Sequence, residues 1–328
     1  AARTTAPAWN SVTQRTAPTH LARPGPPGSR GDAARGMALA TSHAALVRGL
    51  VQRKDPKNMK ILVLGSAGRA ACLQCEPGAS AARPLAQRSA GAAAVAGVEG
   101  RWLLLNCSTD TLRHPQIESA MAAGAIAGVV LLDAQFEHAA SLLALGRAQP
   151  LHLYATPGVF EALTQRLLPP GLLDGGCAVR WHLLPVAGDV RSSEFCVEGL
   201  ESLRLIAVDD GGWAAPHAPN RRDAAVGDSI ALLVEDRMAG QRLVYSPGAH
   251  GEAALPWMEG ADCLLVNGSV CPLHAGPEPI DTAWAALGAR RTVLIHLNDC
   301  DPRLQADSEA RRAADAAGLE LAYDGMEI

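Results

Sequence analysis

Residues 131–138 read LLDAQFEH, an apolar run that stops abruptly in acid, amide, acid and imidazole. Upstream the run extends through AGVVLLD (127–133), continuous enough to be a strand buried on both faces. Such a strand needs a covering layer on each side, so this stretch already asks for a sheet sandwiched between other elements. Its end raises a second question. Asp133, Gln135, Glu137 and His138 fall within six residues and could ligate a metal, yet an Asp at a strand end also opens turns, and a following Glu also serves a helix.

Working outward, the same texture recurs along the chain. KILVLGSAG (60–68), WLLLNCS (102–108), LHLYAT (151–156), LRLIAVDD (203–210), DSIALLVED (228–236), QRLVYSPG (241–248), DCLLVNG (262–268) and RTVLIHLND (291–299) read as further strands. Helical stretches lie between them at 114–124, 138–147, 157–168 and 303–317. Many strands with recurring helices predict an α/β fold, two central sheets flanked by helices. Several strands end in polar groups: Asp110, Asp209 and Asp210, His250, and the set His296, Asn298, Asp299 and Asp301. If these edges converge, they could hold one divalent cation with mixed oxygen and nitrogen ligands, suited to iron(II) chemistry or to metal-assisted hydrolysis.

Bulk properties narrow the setting. Hydrophobic residues make up 48% of the chain but aromatics only 4%, so Ala, Leu and Val must build the core. No stretch is long and apolar enough to suggest a spanning helix, so no membrane partner is expected. Residues 1–58 carry nine Lys and Arg against two Asp and Glu, leaving 20 against 31 in the remainder. That acidic body has no basic stripe for phosphates, which argues against nucleic acid as a partner. The first 58 residues are rich in Pro, Ala, Arg and Gly without sustained periodicity and are expected to be a disordered or leader-like extension. Their Arg-rich, acid-poor composition fits a transit peptide, translated upstream DNA or a cloning remnant, and Met59 reads as a natural start. The folded domain is expected over 59–328. Eight cysteines spread over so long a chain read as reduced thiols of a cytoplasmic protein, and only Cys72 and Cys75 have ligand spacing. The sequence leaves a homodimer open. His152 and His182 read as packing or surface histidines, Cys263 as a core thiol, and the GSAG after the first strand as a tight turn.

Taken together and in order, KILVLGSAG, WLLLNCSTD, VVLLDAQFEH, GDSIALLVEDRMAGQRLVYSPG with ADCLLVNGS, and VLIHLNDCDP with LAYDGM resemble the pyrroloquinoline quinone (PQQ) biosynthesis B family, which has the metallo-β-lactamase-like fold. The resemblance implies a four-layer αββα sandwich with its site at the sheet edge. In hydrolytic relatives the central motif is His-x-His-x-Asp-His; here Asp133 and Gln135 stand in place of the first two imidazoles. A dinuclear zinc hydrolase is therefore disfavoured, and one metal held by Glu137, His138 and His296 is the simpler arrangement. The family is thought to hydroxylate the tyrosine side of a Glu/Tyr-derived PQQ precursor with iron and oxygen, while an older view makes it a carrier of PQQ or its precursor.

On the enzyme reading, Fe(II) sits at Glu137, His138 and His296, Asp133 and Gln135 orient water or oxygen, and Asp110 or Asp228 handles protons. Substrate carboxylates need cations, for which Arg88, Arg221 and Arg222 are candidates, with Asn298 as a further contact. The alternatives are a carrier that binds without turnover and a divergent metallo-hydrolase. The family's three-cysteine knuckle is reduced to Cys72 and Cys75, which could hold zinc only with ligands from elsewhere, Cys107 or a histidine among them. Two further departures touch the substrate wall. The His-Pro-Gly-Asp-Asn turn appears as AVGDS (225–229), and the loop after Ser269 is shortened to VCPLHAGPEP, where His274 is the one imidazole left.

Overall fold

In the computed structural model the described residues are 59–68, 88–108, 110–145, 150–167, 179–211, 223–248, 254–268, 284 and 287–328. Strand β1 (Lys60–Gly65) shows how the apolar runs are used. Ile61 and Val63 face a core shared between two sheets, whereas Leu62 and Leu64 face a second core outside. In β3 (Trp102–Leu105) the split is Leu103 and Leu105 against Leu104. In β9 (Ile230–Asp236) it is Ile230, Leu232 and Val234 against Ala231 and Leu233. Both parities of each run are buried, which is why the sequence shows continuous hydrophobicity and not alternation.

The first sheet is ordered β1, β2 (Ala92–Ala96), β3, β4 (Ile126–Val130), β5 (Leu151–Ala155) and β6 (Val179–Leu183). The second runs β13 (Leu319–Leu321), β12 (Arg291–Ile295), β11 (Cys263–Asn267), β10 (Arg242–Ser246), β9, β8 (Leu203–Asp209) and β7 (Ser192–Phe195). Pairing is parallel from β3 to β6 and from β10 to β13, and antiparallel elsewhere. Outside the first sheet pack α1 (Pro115–Ala122), α2 (Phe136–Ala139), α3 (Leu142–Leu145) and α4 (Pro157–Ala162), through Ile117, Ala139, Leu142, Leu145 and Val159. Outside the second pack α5 (Leu255–Met258) and α6 (Glu309–Ala316), through Met258 and Ala314. The fold is the expected αββα sandwich. No helix among the described residues is long and apolar enough to cross a membrane.

Local signals explain the helix starts. Thr156 accepts a bond from the Val159 amide at 3.2 Å ahead of Pro157, and Ser308 accepts one from Arg311 at 2.9 Å. In place of one helix at 138–147 there are two four-residue helices, α2 and α3, and in place of that at 303–317 a 3₁₀ turn (Pro302–Leu304) followed by α6. Strands β2, β6, β7 and β13 were not anticipated. AAAVA carries little strand preference of its own, and β6 and β7 are half-exposed edge strands with mixed side chains.

The parallel strands place their C-terminal ends on one rim, where backbone bonds join the two sheets. Ile230 donates to the Leu132 carbonyl at 2.8 Å, Leu297 to Ser66 at 3.2 Å, and Gly68 to Leu297 at 2.8 Å. The outer edge of β1 is covered by residues 325–328: Gly325 donates to Val63 at 2.8 Å, Val63 to Met326 at 2.9 Å, and Ile328 to Ile61 at 3.0 Å.

Candidate functional site

Where LLDAQFEH leaves the first sheet, Asp133 turns inward and is only 5% exposed. Its Oδ1 accepts the Gln135 amide at 2.9 Å, and both oxygens lie close to Nδ1 of His138, at 2.7 and 2.9 Å. Burial alone would push this carboxyl up. The charge and hydrogen bond of His138, the Gln135 amide and the charge of His296 outweigh it, and Asp133 stays below the usual carboxylate range.

From the second sheet, His296 follows β12 and faces His138 edge to face, with ring centres 5.2 Å apart. Its Nε2 lies 2.7 Å from the Tyr245 hydroxyl at the end of β10. Burial, then the charge of Asp133, push that hydroxyl well above its usual range, so it keeps its proton at neutral pH. The Nδ1–Cε1 bond of His296 rests on Gly91, where a Cβ would come within 2.2 Å of both atoms. Asn106 completes the support. Its Oδ1 accepts the Leu132 amide at 3.0 Å, one residue before Asp133, and its Nδ2 is buried without a partner. Asn106 (φ 65°) and His296 (φ 58°) are the non-glycine residues with left-handed backbone among those described. Both lie on this rim, as strain held at functional sites does.

The donor chemistry suits a cation in kind. Two imidazoles sharing one ion at about 2.1 Å per nitrogen have ring centres roughly 5 to 6 Å apart. Asp133 stands behind His138 as the carboxylate partner that ligating histidines carry, and the Tyr245 phenol does the same for His296. Among the described residues, no group of three or more His, Cys, Asp or Glu is arranged to hold a metal ion. Glu137 lies half-buried in the first turn of α2.

The other anticipated residues take varied places. Asp228 is buried beside the pairing of Asp133 with Ser229 and accepts the Ala225 amide at 2.8 Å. Asp110 meets Arg113 at 3.3 Å and lines a cleft with His114 and Asp324. Asp209 receives Arg191 at 2.6 Å and Gly227 at 3.0 Å; Asp210 receives Gly248 at 3.1 Å. Asp301 caps the 3₁₀ turn and pairs with buried Arg303 at 2.7 Å. These carboxylates anchor loops. Asn298 accepts the Asp301 amide through its carbonyl, and Arg88 reaches the carbonyl of Leu297, next to His296. Cys72, Cys75, Arg221, Arg222, His250 and His274 lie outside the described residues. Cys107, one of the outside ligands left open for Cys72 and Cys75, is a fully buried thiol that burial pushes up to about 12. His152 and His182 bond to each other at 3.0 Å and stack beside Tyr154, which is a packing role.

Four contributors escaped the sequence reading: Asn106, Tyr245, Gly91 and Asp324. Asp324 accepts the Ser66 amide and hydroxyl at 2.9 and 2.8 Å and the Ser89 amide at 2.6 Å. A signal existed for two of them, since Asn106 ends an apolar run and Asp324 sits in the closing LAYDGM phrase.

Comparison with known proteins gives the family and the fold. A family profile described as Beta-lactamase superfamily domain matches residues 101–297. Coenzyme PQQ synthesis protein B of Nitrosococcus oceani is 34% identical over 257 residues, covering 69% of this chain and 83% of that protein. The protein of the same name from Pseudomonas aeruginosa is 32% identical over 309 residues, covering 82% and 99%. The chain belongs to the coenzyme PQQ synthesis protein B family. Among solved structures, Zn²⁺-bound PqqB from Methylobacterium extorquens superposes with a TM-score of 0.66 at 23% identity, over 82% of this chain and 99% of that one, so it shares the fold.

Proposed function

We propose that this chain serves PQQ biosynthesis as a metal-dependent oxidoreductase acting on a Glu/Tyr-derived precursor at the His138–His296 rim. The observation that carries the reading is the pair of imidazoles 5.2 Å apart, one from each sheet, each held by a protein partner. His138 and His296 would hold the cation, while Glu137, expected as the third ligand, forms no three-residue grouping with them, which leaves the remaining positions to the bound molecule and water. The neighbour of this fold is Zn²⁺-bound, which supports metal binding in general, and the family resemblance favours iron(II). When bound, iron(II) would supply oxygen activation for hydroxylating an aromatic ring. The protein's own part is then positional. Asp133 fixes the tautomer and tilt of His138, and Tyr245 fixes the tilt of His296. Asp228, beside the strand that meets Asp133, is the nearer candidate for moving a proton than Asp110, which is engaged with Arg113.

A carrier role is the second reading, favoured by the lack of a three-ligand grouping among the described residues. The deciding experiment loads wild type and His138→Ala anaerobically with iron, measures metal by elemental analysis, then assays the tyrosine-containing precursor with oxygen. About one iron per chain, lost in the variant, with hydroxylated product supports the enzyme. Ligand binding without product supports the carrier. Zinc retained in preference to iron, with hydrolytic turnover, would overturn both.

A further inference from the structure

Arg88 occupies an unusual position on the same rim. Its Nη2 donates to the Leu297 carbonyl at 2.7 Å and, more loosely, to Asp299 Oδ1 at 3.2 Å. Leu297 immediately follows His296, and three residues after Arg88 comes Gly91, on which the His296 ring rests. The guanidinium is thus tied to the backbone of one imidazole and carried on the segment that supports it. Only 12% of the Arg88 side chain is exposed. Its Nε and Nη1 are nonetheless buried with no hydrogen-bond partner.

Buried N–H groups of a cation are costly to leave unmatched, and their natural acceptor is an oxyanion. Asp299 does not fill this role: it is 47% exposed and touches only the nitrogen already on Leu297. Residues 59–328 carry 31 acidic against 20 basic side chains, so an anionic ligand gains from a cation placed at its site.

We propose that Arg88 anchors a carboxylate of the small molecule bound at this rim; the inference rests on the reading of His138 and His296 as the working centre and adds to it the residue that meets the ligand's charge. The Leu297 bond fixes the guanidinium, and one of its two unmatched N–H groups, Nε or Nη1, donates to the ligand oxygen. Lysine keeps the charge but cannot bond Leu297 and the ligand in these two fixed directions at once.

The test uses the full chain, PQQ as an acidic probe, and its trimethyl ester as the same ring system without carboxylate charge. Equilibrium dialysis is run on wild type, Arg88→Gln and Arg88→Lys, with metal content measured on each. Arg88→Gln is expected to weaken binding of the acid about tenfold to a hundredfold, the loss of a charge-assisted contact. Ester affinity and metal content should be unchanged, and Arg88→Lys should recover part of the loss. Equal loss for acid and ester, loss of metal with ligand, or no preference of wild type for the acid would each overturn the anchor. The first two would make Arg88 a brace for Leu297. A wild type that takes up no metal yet shows Arg88-dependent preference for the acid keeps the anchor and sinks the metal reading, so the two failures are distinguishable.

Discussion

Gly91→Ala probes the site from beneath. The backbone at Gly91 is not left-handed, so alanine is tolerated there as far as the main chain is concerned. The added Cβ, however, lands 2.2 Å from Nδ1 and Cε1 of His296. Ordinary contact needs about 3.5 Å, so ring or strand must move by roughly 1.3 Å. A shift of that size is large beside a 2.7 Å bond to Tyr245 and would tilt His296 away from His138. Overpacking of this kind costs about 1 to 3 kcal/mol, which in a domain of this size lowers Tm by roughly 2 to 10 °C. Misplacing one of two imidazoles should weaken cation affinity by about tenfold to a hundredfold, the range seen when a ligand's support is lost. Thermal unfolding and a competitive chelator titration measure the two effects. Gly100→Ala is the control: nothing lies within 4 Å of its Cβ, but its φ of 74° makes alanine strained, so it should cost stability without touching ion affinity. Wild-type stability and affinity in Gly91→Ala would refute the placement of His296.

Three further outcomes follow from the same contacts. The folded-state pKa of Asp133 is depressed, so its contribution to stability is complete above about pH 4 and is lost as pH falls through the folded value; acid titration of Asp133→Asn should show lower stability at neutral pH and a flatter acid limb. Arg303→Leu strands the buried Asp301 carboxylate and should destabilise by about 3 to 5 kcal/mol in urea unfolding. At Asn106, glycine keeps the left-handed backbone and loses only the side-chain bonds, whereas alanine adds backbone strain of roughly 1 to 2 kcal/mol, so Asn106→Ala should be the less stable of the two by calorimetry.

What the sequence disclosed and what it withheld divide along physical lines. The strands at 60–65, 230–236 and 263–267 were legible because burial on both faces leaves an unbroken apolar run. AAAVA was illegible because alanine takes its conformation from its neighbours, and β1 and β3 on either side make it a strand. His138 and His296 could be picked out because they end such runs, and the resemblance placed them together. Their supports could not. Tyr245 sits in a strand like any packing aromatic, and nothing local distinguishes Gly91 from the other glycines, because its role depends on a ring more than 200 residues away. Asp209, Asp210 and Asp301 looked like ligands for the same reason that Asp133 did, being acids at strand ends. Only the fold shows that arginines and backbone amides already engage them.

The strip at 325–328 that covers the outer edge of β1, with Asp324 holding Ser66 and Ser89, has a bearing on synthesis. During translation the β1 segment leaves the ribosome about 260 residues before the strip that closes it. His296 emerges nearly as late. Until then the nascent chain exposes an unpaired strand edge beside a half-formed rim, and the binding chemistry has no place to reside. The rim therefore closes only after residues 324–328 have emerged, and a change disturbing that strip should act on the site as strongly as a change inside it.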